Sequence, residues 1–194
     1  MPFTHIPAQD FNTTTWSGGT TTELFIYPGT ANYQNRDFDF RISTASVEVE
    51  QSDFTALPGY SRKLMVLEGV VTLNHEGHHS KKLYKFDVDE FEGAWKTTSK
   101  GRCIDFNLMT KTGISGSISG QALNEGNTLE KELDNKDQWF FLYLLTGKLQ
   151  LSLNANTEIV NKGDCVMIEN ESDVRLVLSA QSNCELVFAE GEIS

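Results

Sequence analysis

One stretch of this sequence occurs twice. Leu64-Met65-Val66-Leu67-Glu68-Gly69-Val70-Val71-Thr72-Leu73 is matched without a gap by Leu142-Tyr143-Leu144-Leu145-Thr146-Gly147-Lys148-Leu149-Gln150-Leu151, and Gly69 falls on Gly147. Further on, Gly101-Arg102-Cys103-Ile104-Asp105-Phe106 resembles Ser182-Asn183-Cys184-Glu185-Leu186-Val187. Each half therefore carries an apolar strand, a glycine turn, a second strand and a closing strand. Such a unit, repeated within 194 residues, points to two small all-β bodies in tandem.

The rest of the chain obeys the same reading. Helical periodicity is scarce. Glu23-Leu24-Phe25-Ile26-Tyr27 reads as a strand stopped by Pro28-Gly29. From Phe38 to Glu50 the pattern alternates, with Phe38, Phe40, Ile42 and Thr44 on one side and Arg41, Ser43, Ala45 and Val47 on the other. Ile114 to Asn127 is rich in Gly, Ser and Asn and reads as a crossover or linker between the halves. Asn127 to Asp137, of mixed charge, reads as a short helix or an edge strand.

Composition narrows the partners. The formal net charge of −11 opposes nucleic-acid phosphates and anionic membranes, so neither is expected to bind. Cys103, Cys165 and Cys184 are odd in number and show no C-x-x-C spacing, which argues for reduced, buried thiols. Met1 to Phe11 shows no basic region or apolar run of a signal peptide, and no segment approaches the ~20 apolar residues of a membrane helix, so a cytoplasmic protein is expected.

An apolar strand, Leu-x-Gly and a further strand is typical of the cupin barrel. Gly163-Asp164, opening the apolar run Cys165-Val166-Met167-Ile168, has the form of the second cupin motif. Glycine permits positive φ there, and Asp bonds back to nearby backbone. Metal-binding cupins place two histidines and a glutamate before the Leu-x-Gly turn and a third histidine after the Gly-Asp strand. Counting back from Gly69, the glutamate position holds Arg62 and the histidine positions fall near Thr55 and Leu57; in the second half they fall on Phe140 and near Arg175. None of these is a divalent-metal ligand, so no metal and no cofactor is expected. An arginine facing a barrel mouth suits an anion instead, because guanidinium grips carboxylate through two parallel hydrogen bonds.

Four histidines remain: His5, His75, His78 and His79. From His75 to His78 the run His-Glu-Gly-His is one residue short of H-E-x-x-H, and Gly77 disfavours the helix that motif needs, so the segment reads as a polar hairpin tip. No G-x-S-x-G occurs, and Trp16-Ser17-Gly18-Gly19 reads as a loop over a pocket or a bend at a barrel rim.

Together these stretches resemble the HutD/Ves family of bacterial bicupins. The resemblance runs through Trp16 to Glu23, Phe38 to Ala45 (R-I-S-x-A), Phe54 to Arg62 (L-P-G-x-x-R), Leu67-Glu68-Gly69 and Asp105 to Met109 (D-F-N-x-M). It implies two tandem cupin-like jelly-roll barrels with few or no helices, residues 1–115 forming the first, with the ligand pocket, and 116–194 a degenerate second, for packing or dimerisation. It also implies a non-enzymatic protein that senses or sequesters a small carboxylate, of the urocanate or formylglutamate type, in histidine utilisation. In this sequence the tryptophan loop lacks the asparagine of the family's usual W-x-N-G form.

Six residues are the candidate ligand contacts. Arg41 has the small neighbours Ser43 and Ala45 on its face, which leaves room for a ligand. Arg62 stands at the vacated metal-ligand position. Asp105 and Asn107 share a strand face and are placed to orient an arginine. Trp16 offers a stacking surface, and Glu23 is a candidate partner for an arginine. Two other functions fit the same residues: a metal-independent isomerase with Asp105 or Glu23 as its base, and an interaction protein whose second half serves only to form a homodimer.

Overall fold

The computed structural model describes residues 3–133, 138–170 and 174–192. Strand β1 (Thr4–Ile6) and a single 3-10 turn (Ala8–Asp10) precede ten strands: β2 (Asn12–Trp16), β3 (Gly19–Tyr27), β4 (Phe40–Val47), β5 (Gln51–Asp53), β6 (Tyr60–Gly69), β7 (Val71–His75), β8 (Ser80–Leu83), β9 (Val88–Glu92), β10 (Thr97–Lys100) and β11 (Cys103–Lys111). Eight more follow: β12 (Gly116–Leu123), β13 (Thr128–Leu133), β14 (Gln138–Thr146), β15 (Lys148–Leu153), β16 (Asn156–Asn161), β17 (Cys165–Asn170), β18 (Val174–Ala180) and β19 (Cys184–Glu192). Among the described residues there is no α-helix, and no helix long and apolar enough to cross a membrane.

The chain divides into two compact units, Phe11–Ser115 and Met1–Asp10 with Gly116–Ser194. In the first, a six-stranded sheet (β2-β3-β4-β11-β6-β9) and a four-stranded sheet (β5-β10-β7-β8) share an apolar cluster: Val47, Leu64 and Val66 from one, Val71, Leu73 and Leu83 from the other. In the second, a five-stranded sheet (β1-β17-β14-β19-β12) and a four-stranded sheet (β13-β18-β15-β16) do the same. There Phe140, Leu142 and Leu144 pack with Leu149, Leu151, Leu153, Leu176 and Leu178. Full burial of each such side chain is worth about 1.5–3 kcal/mol. Each unit is a two-sheet cupin-like jelly roll.

The repeat has a physical cause at its glycines. Gly69 has φ 84°, and a Cβ there would lie 2.5 Å from the Arg102 carbonyl oxygen; Gly147 has φ 92°, and its Cβ would lie 2.4 Å from the Asn183 carbonyl oxygen. Only glycine lets the closing strand's lead-in pass so close to the turn. The Gly-Asp turn behaves as its chemistry requires: Gly163 has φ 88°, and Asp164 accepts from the backbone N–H of Asn161 at 2.9 Å. The first unit has the same turn at Phe86-Asp87, where Phe86 takes φ 67° and Asp87 accepts from Tyr84 N–H at 2.9 Å. A phenylalanine in place of glycine hid that equivalence.

Three expectations change. The Gly/Ser/Asn-rich segment expected to link the halves contains edge strand β12, paired along its length with β19. Trp16 to Gly19, read as a loop over a pocket or a bend at a barrel rim, is a tight hairpin turn between β2 and β3. The first ten residues, assigned from the sequence to the first barrel, join the other unit: β1 pairs antiparallel with β17, and Asp164 takes the Ala8 N–H at 2.9 Å. β13 is the edge strand expected after Asn127, as far as Leu133; residues 134–137 of that segment lie outside the described residues.

Candidate functional site

The two interiors differ in kind. Among the described residues, every buried polar or charged side chain except Asp164 falls between Phe11 and Ser115. Burying such groups is costly unless they are paired, so their concentration in one barrel makes that barrel the candidate site.

Strand alternation places them. On β4, Val47 belongs to the barrel core, so Arg41, Ser43 and Ala45 of the same parity face inward. On β11, Cys103 is in that core, so Asp105, Asn107 and Met109 face the same way; on β6, Leu64 and Val66 set the direction for Arg62. Register then aligns them. Met109 lies between Arg41 and Arg62, Asn107 between Ser43 and Leu64, and Asp105 between Ala45 and Val66. Glu23 stands opposite Ser43.

Contacts join these rows. Arg41 donates from Nε to Glu23 Oε2 at 2.6 Å and from Nη1 to Ser43 Oγ at 3.2 Å, and its guanidinium lies 4.5 Å from the Tyr33 ring centre. Arg62 donates from Nη2 to Asn107 Oδ1 at 3.1 Å, while Asn107 Nδ2 donates to Asp105 Oδ1 at 2.5 Å. The Arg62 guanidinium sits 4.7 Å from the centre of Phe54 and 5.3 Å from that of Phe91. Its Nε is buried and finds no hydrogen-bond partner among the described residues.

The electrostatics follow from burial. Removal from water lowers the Arg62 pKa to about 10, opposed by Tyr33 and Asp105 and helped by Arg41. The same burial lifts Asp105 to about 7, against the Asn107 hydrogen bond and the Arg62 charge. Arg62 keeps its charge at neutral pH, and Asp105 holds its proton to a far higher pH than an exposed carboxyl does. The interior therefore holds two guanidiniums, one committed to Glu23 and the other with a donor to spare.

Of the six sequence candidates, Arg41, Glu23, Arg62, Asn107 and Asp105 share this interior. Trp16 does not. It pairs with Gly19, which pairs with Val47, six residues from Arg41 along β4 and thus about 20 Å away. Its ring folds back over Gly18, so the expected stacking role is not supported there.

The histidine run also differs from the sequence reading. His78 and His79 lie at the tip after β7, with His78 stacked 3.7 Å from Trp95. His75 is not at a polar tip; it is 1% exposed, on the inward parity of Val71 and Leu73. It contacts Thr97 Oγ1 through Nδ1 at 2.8 Å and Asp89 Oδ2 through Nε2 at 3.0 Å. Burial lowers its pKa, against the hydrogen bond and charge of Asp89.

The HutD family model matches residues 8–187. The chain belongs to the HutD family. No curated protein matches it closely enough in sequence to count as a relative. Among solved structures, a conserved protein of unknown function from Pseudomonas aeruginosa shares 22% identity over 100% of both chains, with a TM-score of 0.86. HutD from Pseudomonas fluorescens, solved in a formate condition, shares 20% identity over 96% of this chain and 97% of that one, with a TM-score of 0.73. A Lactobacillus farciminis oxalate decarboxylase in complex with formate aligns over 95% of this chain and 85% of its own at 7% identity, with a TM-score of 0.72. At these identities the structures establish the cupin-like fold for this HutD-family chain.

Proposed function

We propose that the barrel of Phe11–Ser115 binds a small carboxylate on Arg62, beside Arg41, and that the protein senses or sequesters such a metabolite in histidine utilisation. One observation carries this reading: a buried guanidinium whose Nε has no partner among the described residues. A buried donor left unsatisfied costs about 1–3 kcal/mol, and a carboxylate oxygen satisfies it through a charge-assisted bond. Tyr33, Phe54 and Phe91 supply flat apolar walls beside the two guanidiniums. Those walls suit an unsaturated, planar acid such as urocanate, and the paired cations suit a diacid such as formylglutamate. That a HutD and a cupin-like decarboxylase were solved with formate in their conditions or complexes is consistent with carboxylate binding in this fold.

The test is thermal unfolding of the purified protein with urocanate, formylglutamate and formate, because a ligand bound only by the folded state raises the midpoint. Arg62→Met is expected to weaken the effective acid by roughly 10- to 150-fold, the equivalent of a charged hydrogen bond of about 1.5–3 kcal/mol. An unchanged shift in that variant rejects Arg62 as the anchor.

A second reading uses the same site. Asp105, raised to about 7 by burial, has the proton affinity of a general base at neutral pH. Turnover of the bound acid, followed by proton NMR and lost in Asp105→Asn, would make the protein a metal-independent isomerase rather than a sensor.

A further inference from the structure

Three side chains outside the arginine cluster converge in the same barrel. His75 ends β7, Asp89 lies on β9, and His79 follows the tip between β7 and β8. Asp89 Oδ2 is 3.0 Å from His75 Nε2, and Asp89 Oδ1 is 3.0 Å from His79 Nε2. One donor atom from each residue lies within 4.8 Å of the others. Bonds of about 2 Å at tetrahedral angles put neighbouring ligand atoms about 3.3 Å apart, so little movement would close the three around an ion.

The surrounding hydrogen bonds orient the donors. The Thr97 hydroxyl reaches the Trp95 carbonyl at 3.3 Å, which leaves its oxygen to accept from His75 Nδ1 at 2.8 Å. On this pattern Nδ1 carries the hydrogen and Nε2 turns a lone pair toward the Asp89 carboxylate. A lone pair facing a carboxylate oxygen at 3.0 Å is repulsive unless a proton or a metal cation lies between them. A histidine that donates one ring N–H to a fixed acceptor and keeps the other nitrogen free to ligate has the outer-shell orientation usual for a metal ligand. His75 and Asp89 are buried, whereas His79 is 40% exposed and gives the ion a route in.

We infer that His75, His79 and Asp89 form a binding site for a divalent transition metal such as Zn2+, with water completing the coordination. Two imidazoles and one carboxylate suit that ion and leave an open position. The site is distinct from the positions that hold Arg62, Thr55 and Leu57. His75 and His79 have the H-E-x-x-H spacing, but they come from a strand end and a turn, and Glu76 is paired with Lys96 at 2.5 Å. The Phe91 ring lies 4.4 Å from that of His75 and 5.3 Å from the Arg62 guanidinium, so it contacts both groups. The inference does not depend on carboxylate binding.

The experiment is equilibrium dialysis of untagged protein against Zn2+ with metal analysis, repeated with Co2+ to read its visible d–d absorption. The wild type is expected to take up one ion per chain with a tetrahedral Co2+ spectrum. His79→Ala, at a half-exposed position that leaves the core intact, should abolish both, and His78→Ala should leave both unchanged. Thr97→Val, which keeps the shape but removes the hydroxyl, should weaken binding about 10- to 100-fold. Uptake that survives His79→Ala overturns the site, as does uptake lost instead with His5→Ala, since His5 contacts Glu158 and Asp164 in the other unit. Equal loss in His78→Ala shows a loose surface cluster and also overturns it. Unchanged affinity in Thr97→Val removes the orienting role given to that hydroxyl.

Discussion

Arg41 and Arg62 differ in what already holds them. Arg41 is committed to Glu23, a half-exposed carboxylate that competes with any anionic ligand for the same guanidinium. Exposed pairs are worth about 0.2–1 kcal/mol, so Glu23→Gln should tighten carboxylate binding about 1.5- to 5-fold by calorimetry; weaker binding would show that Glu23 orients Arg41 productively. Asp105 sets a pH dependence. Its folded-state pKa, about 7, lies above the ordinary 3.8. Its contribution to stability is thus full below pH 3.8 and is lost as the pH rises through 7. The same ionisation places a negative charge beside Arg62, so carboxylate affinity should fall between pH 6 and pH 8, and Asp105→Asn should flatten that fall. An unchanged slope in the variant assigns the titration to another group. Arg41 was legible because the chain alternates from Phe38 to Val47, and Arg62 because it stands at a fixed distance before Gly69. His75 was not, because Gly77, His78 and His79 made the whole run look like a tip. The signal was the alternation Val71, Leu73, His75, all three buried.

At the scale of the strand pair, Gly69 and Gly147 do the same task in the two units. Each combines positive φ with a carbonyl oxygen inside the radius of a Cβ. Alanine at either position meets both conflicts, for a cost of about 1–3 kcal/mol. Gly77 has φ 79° and nothing within 4 Å of its Cβ position. Gly77→Ala should therefore cost less than Gly69→Ala or Gly147→Ala in denaturant titrations; equal costs would assign the whole effect to φ and none to the close approach. These glycines were readable in the sequence because their backbone task admits no other residue. The Gly-Asp turn was readable only in the second half, since in the first Phe86 accepts φ 67°. β12 was missed for a related reason: as an edge strand it faces solvent and tolerates Gly116, Ser117, Ser119 and Gly120, which read as a linker.

Across the whole molecule, chain order and unit membership part company at the N-terminus. β1 lies on β17, and Asp164 ties the turn, taking N–H groups from Ala8 and Asn161 and contacting His5 Nε2 at 3.1 Å. Burial alone would raise the Asp164 pKa, but these hydrogen bonds and the His5 charge outweigh it and the pKa is lowered. A lowered carboxyl pKa stabilises the fold above the unfolded value and loses that contribution as the pH falls through the folded one. Asp164→Ala should cost about 1–3 kcal/mol by leaving those N–H groups unpaired. Its hydrogen exchange should rise in β17 and β14 while β6 and β11 keep their protection; faster exchange in β6 would refute the assignment. Nothing in the local sequence of residues 3–10 announces that long-range pairing, which is why those residues were assigned to the barrel they precede. The polar interior of one barrel and the apolar interior of the other lead to the central claim, a carboxylate held by Arg62. A crystal structure of the protein grown with saturating urocanate or formylglutamate tests it most directly. The account predicts a carboxylate oxygen within hydrogen-bonding distance of Arg62 Nε, between the rings of Phe54 and Phe91. Ligand density elsewhere, with Arg62 Nε still unpartnered, would contradict it.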